Sequence, residues 1–169
     1  MRNSAPPVLY VEDDHDDAFF MQRAFITAEI LNPLYIVYDG QSAIDYLAGH
    51  KRYSDRGTYP LPCLLLLDLH LPMRSGFEVL AWLRGQPEFQ QLSVVVLTCS
   101  DEAYYTQEAY RLGANGYLVK PPNGEKLEEM ARNIDRFWLK AKQTPIPCLQ
   151  FAESSESTQS TSPSHCHDV

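Results

Sequence analysis

The chain has 169 residues, 44% of them hydrophobic, enough for one packed domain of ordinary size with sequence to spare. Acidic residues outnumber basic ones 22 to 14, for a net charge of -8, and no basic stripe appears, which speaks against direct recognition of nucleic acid through its phosphates. Apolar runs such as 63–67 are far too short to span a membrane, the opening "MRNSAPPVLYVEDD" turns acidic too early for a signal peptide, and four cysteines without CxxC spacing predict reduced thiols in a cytoplasmic protein.

In chain order, "PVLYV" (7–11) predicts a first strand. It is apolar throughout, which suits a strand covered on both faces. It runs into "EDDHDD", where Glu12, Asp13 and Asp14 come first. A helix over 16–29 follows, with Ala18, Met21, Ala24, Phe25 and Ala28 on one face. Three consecutive apolar residues cannot all hide on one stripe, so Phe19, which points furthest from that face, is expected to be exposed. "LYIVY" (34–38) predicts a second strand and 41–49 a second helix. The polar insertion "HKRYSDRGTYPLP" (50–62) reads as a surface loop.

"CLLLL" (63–67) predicts the third strand, tipped by Asp68. A helix over 76–84 places Phe77, Leu80 and Leu83 on one face, with Val79 beside them. "SVVVL" (93–97) predicts the fourth strand, ending at Thr98. A helix over 101–112 starts after Ser100-Asp101, good N-cap chemistry, and stops at Gly113. "GYLV" (116–119) predicts the fifth strand, ending at Lys120, and 125–140 a final helix with Leu127, Met130, Ala131, Ile134 and Trp138 on one face. After Lys142 the chain has no Lys or Arg and is rich in Ser, Thr and Pro, so 1–142 is expected to form one domain and 143–169 a disordered tail. "HCH" at 165–167 has nothing near it to complete a tetrahedral metal site.

Five strands alternating with five helices predict an α/β domain built on a parallel sheet. Sites in such sheets form at the carboxyl ends of the strands. Glu12, Asp13, Asp68, Thr98 and Lys120 all belong to that edge. Crowded carboxylates repel one another unless a cation sits among them, and an oxygen donor set suits Mg²⁺. A metal-bound carboxylate beside a lysine can accept a phosphoryl group, with Mg²⁺, Lys120 and the Thr98 hydroxyl meeting the charge on the transferred oxygens. Piece by piece there are blander accounts: acids at 12–17 suit a helix N-terminus, Lys120 alone could be a surface lysine, and Thr98 alone an N-cap. Four such features at the ends of four strands favour a site.

Residues 7–140 resemble a response-regulator receiver domain of the CheY-like family. The resemblance rests on Glu12-Asp13 after strand 1, Asp68 after strand 3, Pro72 and Gly76 beyond it, Thr98 after strand 4, Lys120-Pro121 after strand 5, and Tyr117 three residues before the lysine. It implies a flavodoxin-like, doubly wound five-stranded sheet of order 2-1-3-4-5 with five helices. It also implies that Asp68 is the phosphoacceptor, receiving the group from the phosphohistidine of a sensor histidine kinase or phosphotransfer protein. Asp13 and Asp68 would bind Mg²⁺ (or Mn²⁺ in its place), with the backbone carbonyl of His70 as a third ligand and Glu12 acting directly or through water. Lys120 would pair with Asp68 and then with the phosphoryl group. Thr98 would be drawn inward and Tyr117 would follow. That change would alter the surface of helix 4, strand 5 and helix 5, where another protein or a second copy would bind. No activity is expected beyond the domain's own phosphorylation and slow autodephosphorylation.

The resemblance implies that the kinase is received beside helix 1, with Phe19 in the docking surface; the alternative is a solitary exposed aromatic, which is normal on protein surfaces. Lys120-Pro121 is expected to be cis, turning the chain so that the lysine faces Asp68. The insertion, "YY" at 104–105 and "RFWL" at 136–139 resemble the small stand-alone regulators that partner phytochrome-type kinases. The pair is Glu-Asp where many members have Asp-Asp, and Pro122 is an additional proline. Two other classes compete. A haloacid-dehalogenase-like phosphatase needs a second Asp where this chain has His70. A flavodoxin-like FMN module needs a phosphate loop where this chain has "EDDHDD".

Overall fold

The computed structural model describes residues 5–140; the expected disordered tail at 143–169 lies outside the described residues. The elements are β1 (Val8–Val11), α1 (His15–Thr27), β2 (Leu34–Val37), α2 (Gly40–Ala48), β3 (Leu64–Leu67), α3 (Gly76–Arg84), β4 (Ser93–Thr98), α4 (Ala103–Arg111), β5 (Gly116–Val119) and α5 (Gly124–Ile134), with a π-type segment, Asp135–Lys140, continuing α5. The strands form one parallel sheet in the order β2-β1-β3-β4-β5. No described helix is long and apolar enough to cross a membrane.

Continuous apolar strands follow from burial on both faces. Leu65 and Leu67 join Leu9, Val11, Val94 and Val96 in a core under α2 and α3. Leu64 and Leu66 join Val8, Tyr10, Val95 and Leu97 in a second core under α1 and α5. All four leucines of β3 are fully buried. At about 1.5–3 kcal/mol each, they stabilise the fold by at most roughly 6–12 kcal/mol, the same order as the several kcal/mol that a buried carboxylate costs at the strand's tip.

The helices form where caps and apolar spacing agree. Asp14 caps α1 by accepting from the N–H groups of Asp16 and Asp17. Its buried stripe is Ala18, Met21, Ala24 and Phe25, as expected. Ser75 and Glu78 form a reciprocal capping box on α3. The 101–112 helix begins later than expected, at Ala103, with no side-chain cap at Glu102. The Ser100 hydroxyl reaches only the Glu102 N–H, at 3.4 Å, and its carbonyl accepts from the Tyr117 hydroxyl.

The 50–62 insertion is more than a solvated loop. Tyr53 is buried and meets Tyr46 and Tyr59 edge-on or tilted at about 5–6 Å. Arg56 donates to the carbonyls of Tyr46 and Leu47 at the end of α2, at 2.8 and 2.7 Å. Gly49 ends that helix in the left-handed region, φ 71°.

The loop carrying the third strand's aspartate is pinned by a glycine. A Cβ at Gly76 would lie 2.2 Å from the Asp68 carbonyl oxygen and 2.7 Å from Leu69 Cα. The close approach lets the Gly76 N–H donate to the Leu69 carbonyl at 3.0 Å. Gly76→Ala should therefore cost about 1–3 kcal/mol by forcing backbone apart. A lowered urea midpoint checks this; an unchanged one would mean that the loop yields freely.

Candidate functional site

Backbone ladders align the strand ends. Glu12 N–H donates to the Val37 carbonyl, Asp68 N–H to the Val11 carbonyl, and Lys120 N–H to the Thr98 carbonyl, at 3.0, 3.1 and 2.8 Å. Each polar residue is thus the next rung after its strand, and the sheet sets them side by side.

Lys120 is the hub. Its ammonium donates to Asp68 Oδ2 at 2.6 Å, to Asp17 Oδ2 at 3.0 Å, and to Glu12 Oε2. The Lys120, Glu12 and Asp68 side chains are 8%, 1% and 7% exposed, whereas that of Asp17 is 42% exposed. Burial works to lower the lysine's pKa, but the hydrogen bonds to Asp68 and Glu12 outweigh it and the net direction is upward. Burial pushes Glu12 up as well, against the pull of Lys120 and Tyr10. Both directions follow from two buried carboxylates sharing one ammonium.

Two members of this cluster were not singled out from sequence. Tyr10 donates its hydroxyl to Glu12 Oε2 at 2.6 Å. Burial and then the Glu12 charge raise its pKa, so the hydroxyl remains a donor. Asp17, read among the acids of a helix start, completes the lysine's acceptors. The helix-start account holds for Asp14, whose side chain is the cap.

The other expected residues are placed as follows. Thr98 is fully buried, and its hydroxyl is the buried side-chain polar atom that finds no partner among the described residues. Tyr117 is half-buried, with its hydroxyl on the Ser100 carbonyl at 2.8 Å. The His70 N–H donates to Asp68 Oδ1 at 3.1 Å, while the exposed imidazole meets the edge of Tyr105. Phe19 is 53% exposed on α1, against Phe20 and under the Arg23 guanidinium. One expectation is corrected: no described peptide bond is cis, so Lys120-Pro121 is trans. Trans is the lower form of an X-Pro bond by about 0.5–1 kcal/mol, and the trans chain already carries the ammonium to three carboxylates.

A hard divalent cation fits here. One oxygen from each of Glu12, Asp13 and Asp68 lies within 4.8 Å of the others. Asp13 is exposed, so a hydrated ion can approach from solvent. One ammonium among these acids leaves excess negative charge, and Mg²⁺ keeps several waters when carboxylates bind it.

The family model described as "Response regulator receiver domain" matches residues 8–132. Response regulator Rcp1 of Synechocystis sp. is 37% identical over 144 residues, covering 84% of this chain and 96% of Rcp1. Its Mn²⁺-bound crystal structure superposes with a TM-score of 0.74 at 35% identity, covering 83% of this chain and 99% of that one. The phosphorylated cyanobacterial phytochrome response regulator RcpA gives a TM-score of 0.75 at 30% identity, with 85% and 99% covered. RPA3017, a response regulator in red light signaling of R. palustris, gives 0.76 at 37% identity, with 83% and 99% covered.

Proposed function

The chain belongs to the response regulator receiver domain family, and from that premise we propose that Asp68 is its phosphoacceptor, with the roles of the surrounding residues assigned as follows. The observation that carries this reading is the buried Lys120–Asp68 pair, 2.6 Å apart, next in the backbone ladder to Thr98, whose buried hydroxyl finds no partner among the described residues. An Asp68 oxygen attacks the phosphorus of a phosphohistidine. A P–O bond forms, the P–N bond breaks, and its electron pair returns to the imidazole. Glu12, Asp13, Asp68 and the His70 carbonyl would hold Mg²⁺, which would supply charge neutralisation at the transferred oxygens. Water attack on the phosphorus later releases inorganic phosphate and restores the carboxylate.

The same geometry supports a switch. The new phosphoryl oxygens offer the Thr98 hydroxyl the acceptor it lacks, and Lys120 a new anionic partner. Tyr117, tied to the loop before α4, then relocates. Only Ala109 of α4 is buried, so this helix is held lightly and can shift at small cost. Tyr104, Tyr110 and Val119 are exposed nearby and form the contact surface for a protein partner, a second copy included. The likeness to RcpA and RPA3017 supports a histidine kinase of the phytochrome type as donor.

Phe19, exposed on α1 near the acidic rim, is assigned to kinase docking. Incubation with acetyl phosphate and Mg²⁺ should give a hydroxylamine-labile phosphate that EDTA prevents. Phe19→Ala should leave that reaction intact while slowing transfer from the kinase by about tenfold, the scale of one interface anchor. Equal loss with both donors would mark a folding defect, and no loss with either would remove Phe19 from docking.

A further inference from the structure

Tyr10 sits two residues before Glu12 on β1, and alternate residues of a strand share a face. Its ring packs with Val8, Met21 and Phe25. Its hydroxyl reaches out of that apolar layer to Glu12 Oε2 at 2.6 Å.

The donors around this carboxylate are few. Oε2 accepts from Tyr10 and Lys120, and Oε1 from the Asp14 N–H at 3.2 Å. An ammonium has three protons to donate, and Lys120 has three acceptors here, Asp68, Glu12 and Asp17. Once Asp68 is phosphorylated, its charge lies on the phosphoryl oxygens, and Lys120 must release acceptors to follow it. Asp17 is exposed enough for water to replace the lysine. Glu12, at 1% exposure, is not. A buried carboxylate oxygen that loses its donor is strongly disfavoured, and the Mg²⁺ assigned above to Glu12 would offset its charge without itself donating a hydrogen bond to Oε2.

We propose that Tyr10 is a positioning residue for phosphoryl transfer: its hydroxyl holds the Glu12 carboxylate and keeps it hydrogen-bonded when Lys120 leaves it for the phosphoryl group. The proposal rests on the roles assigned above to Asp68 and Lys120. Tyr10 acts through Glu12 and touches no reacting atom.

Tyr10→Phe deletes the hydroxyl and keeps the ring. With acetyl phosphate and saturating Mg²⁺ it should slow phosphorylation by about tenfold, the scale of one hydrogen bond to a charged group. Mg²⁺ affinity, read from amide shifts, should stay within about twofold, because Lys120 still holds Glu12 before transfer. In the Glu12→Gln background, where no charge is stranded, Tyr10→Phe should change the rate by less than about twofold. Equal slowing in both backgrounds, or none with Glu12 present, would overturn the proposal. A second cycle needs no phosphorylation. Lys120→Met mimics the departed lysine, and there Tyr10→Phe should lower the unfolding midpoint by at least about 4 °C more than it does in the native chain. Loss of folding in the double variant alone, with both single variants folded, would be the extreme of the same result, and equal shifts would sink the idea. If the native chain takes up no phosphate, the assignment of Asp68 falls, while this unfolding cycle still decides the role of Tyr10.

Discussion

Asp68→Asn should take up no phosphate from acetyl phosphate or from a kinase, whatever the Mg²⁺ concentration. The reaction needs an anionic oxygen with a free lone pair aimed out of the strand end, and the amide oxygen is neutral and weakly nucleophilic. No neighbour substitutes for it. Glu12 is almost wholly buried and already accepts from Tyr10, Lys120 and the Asp14 N–H. Asp13 is exposed and lacks a lysine contact among those of Lys120. The fold should survive, since Lys120 keeps Glu12 and Asp17, and one carboxylate fewer relieves repulsion. Stability without metal should therefore stay within about 1 kcal/mol of the native value or rise. Two measurements check the pair of expectations, hydroxylamine-sensitive labelling and a urea midpoint. Labelling that persists in the variant would place the acceptor elsewhere. A collapsed midpoint would mean that Asp68 is structural as well.

The strand-end residues were legible because a run of apolar residues broken by one charged or hydroxyl group marks its own boundary. Asp68, Thr98 and Lys120 each stop such a run, and parallel pairing then places them on one edge. Tyr10 was hidden for the converse reason. Inside "PVLYV" it reads as a core aromatic, which its ring is, and only the burial of Glu12 gives its hydroxyl a meaning. Arg84, in the last turn of α3, was not singled out from sequence. It donates to the carbonyls of Phe89, Gln90, Leu92 and Gly113 and to Asn115 Oδ1, tying the loops before β4 and β5. Loop carbonyls have no periodicity, so nothing in the sequence announces such a partner. The insertion is a surface loop, as its composition indicated, but its charged residues masked the two tyrosines that pack against Tyr46. The trans bond at Lys120-Pro121 lies within about 1 kcal/mol of the alternative, a margin that tertiary contacts decide and local sequence does not.

Lys120→Ala should separate two functions of one side chain. Before phosphorylation the ammonium is the shared counter-charge of Glu12 and Asp68, both nearly inaccessible to water. Removing it strands buried carboxylates, so the metal-free protein should lose about 3–5 kcal/mol. The pH dependence carries a definite sign. Burial already raises the Glu12 pKa in the presence of the lysine, and without it the folded-state value must rise further. A carboxyl whose folded pKa exceeds its unfolded one binds more protons when folded, so stability falls as pH rises through that window. The deficit of the variant should thus shrink on acidification below neutrality. Mg²⁺ should restore part of it by replacing the missing positive charge, and should stabilise the variant more than the native chain. After phosphorylation the lysine is the link between the phosphoryl oxygens and the rest of the switch. Any phosphate that the variant accepts should leave the α4 and α5 amide shifts close to those of the unphosphorylated state. Native-like shifts would free Lys120 from the switch. A deficit independent of pH and Mg²⁺ would mean that packing of its methylene stem, and not its charge, is what the fold uses.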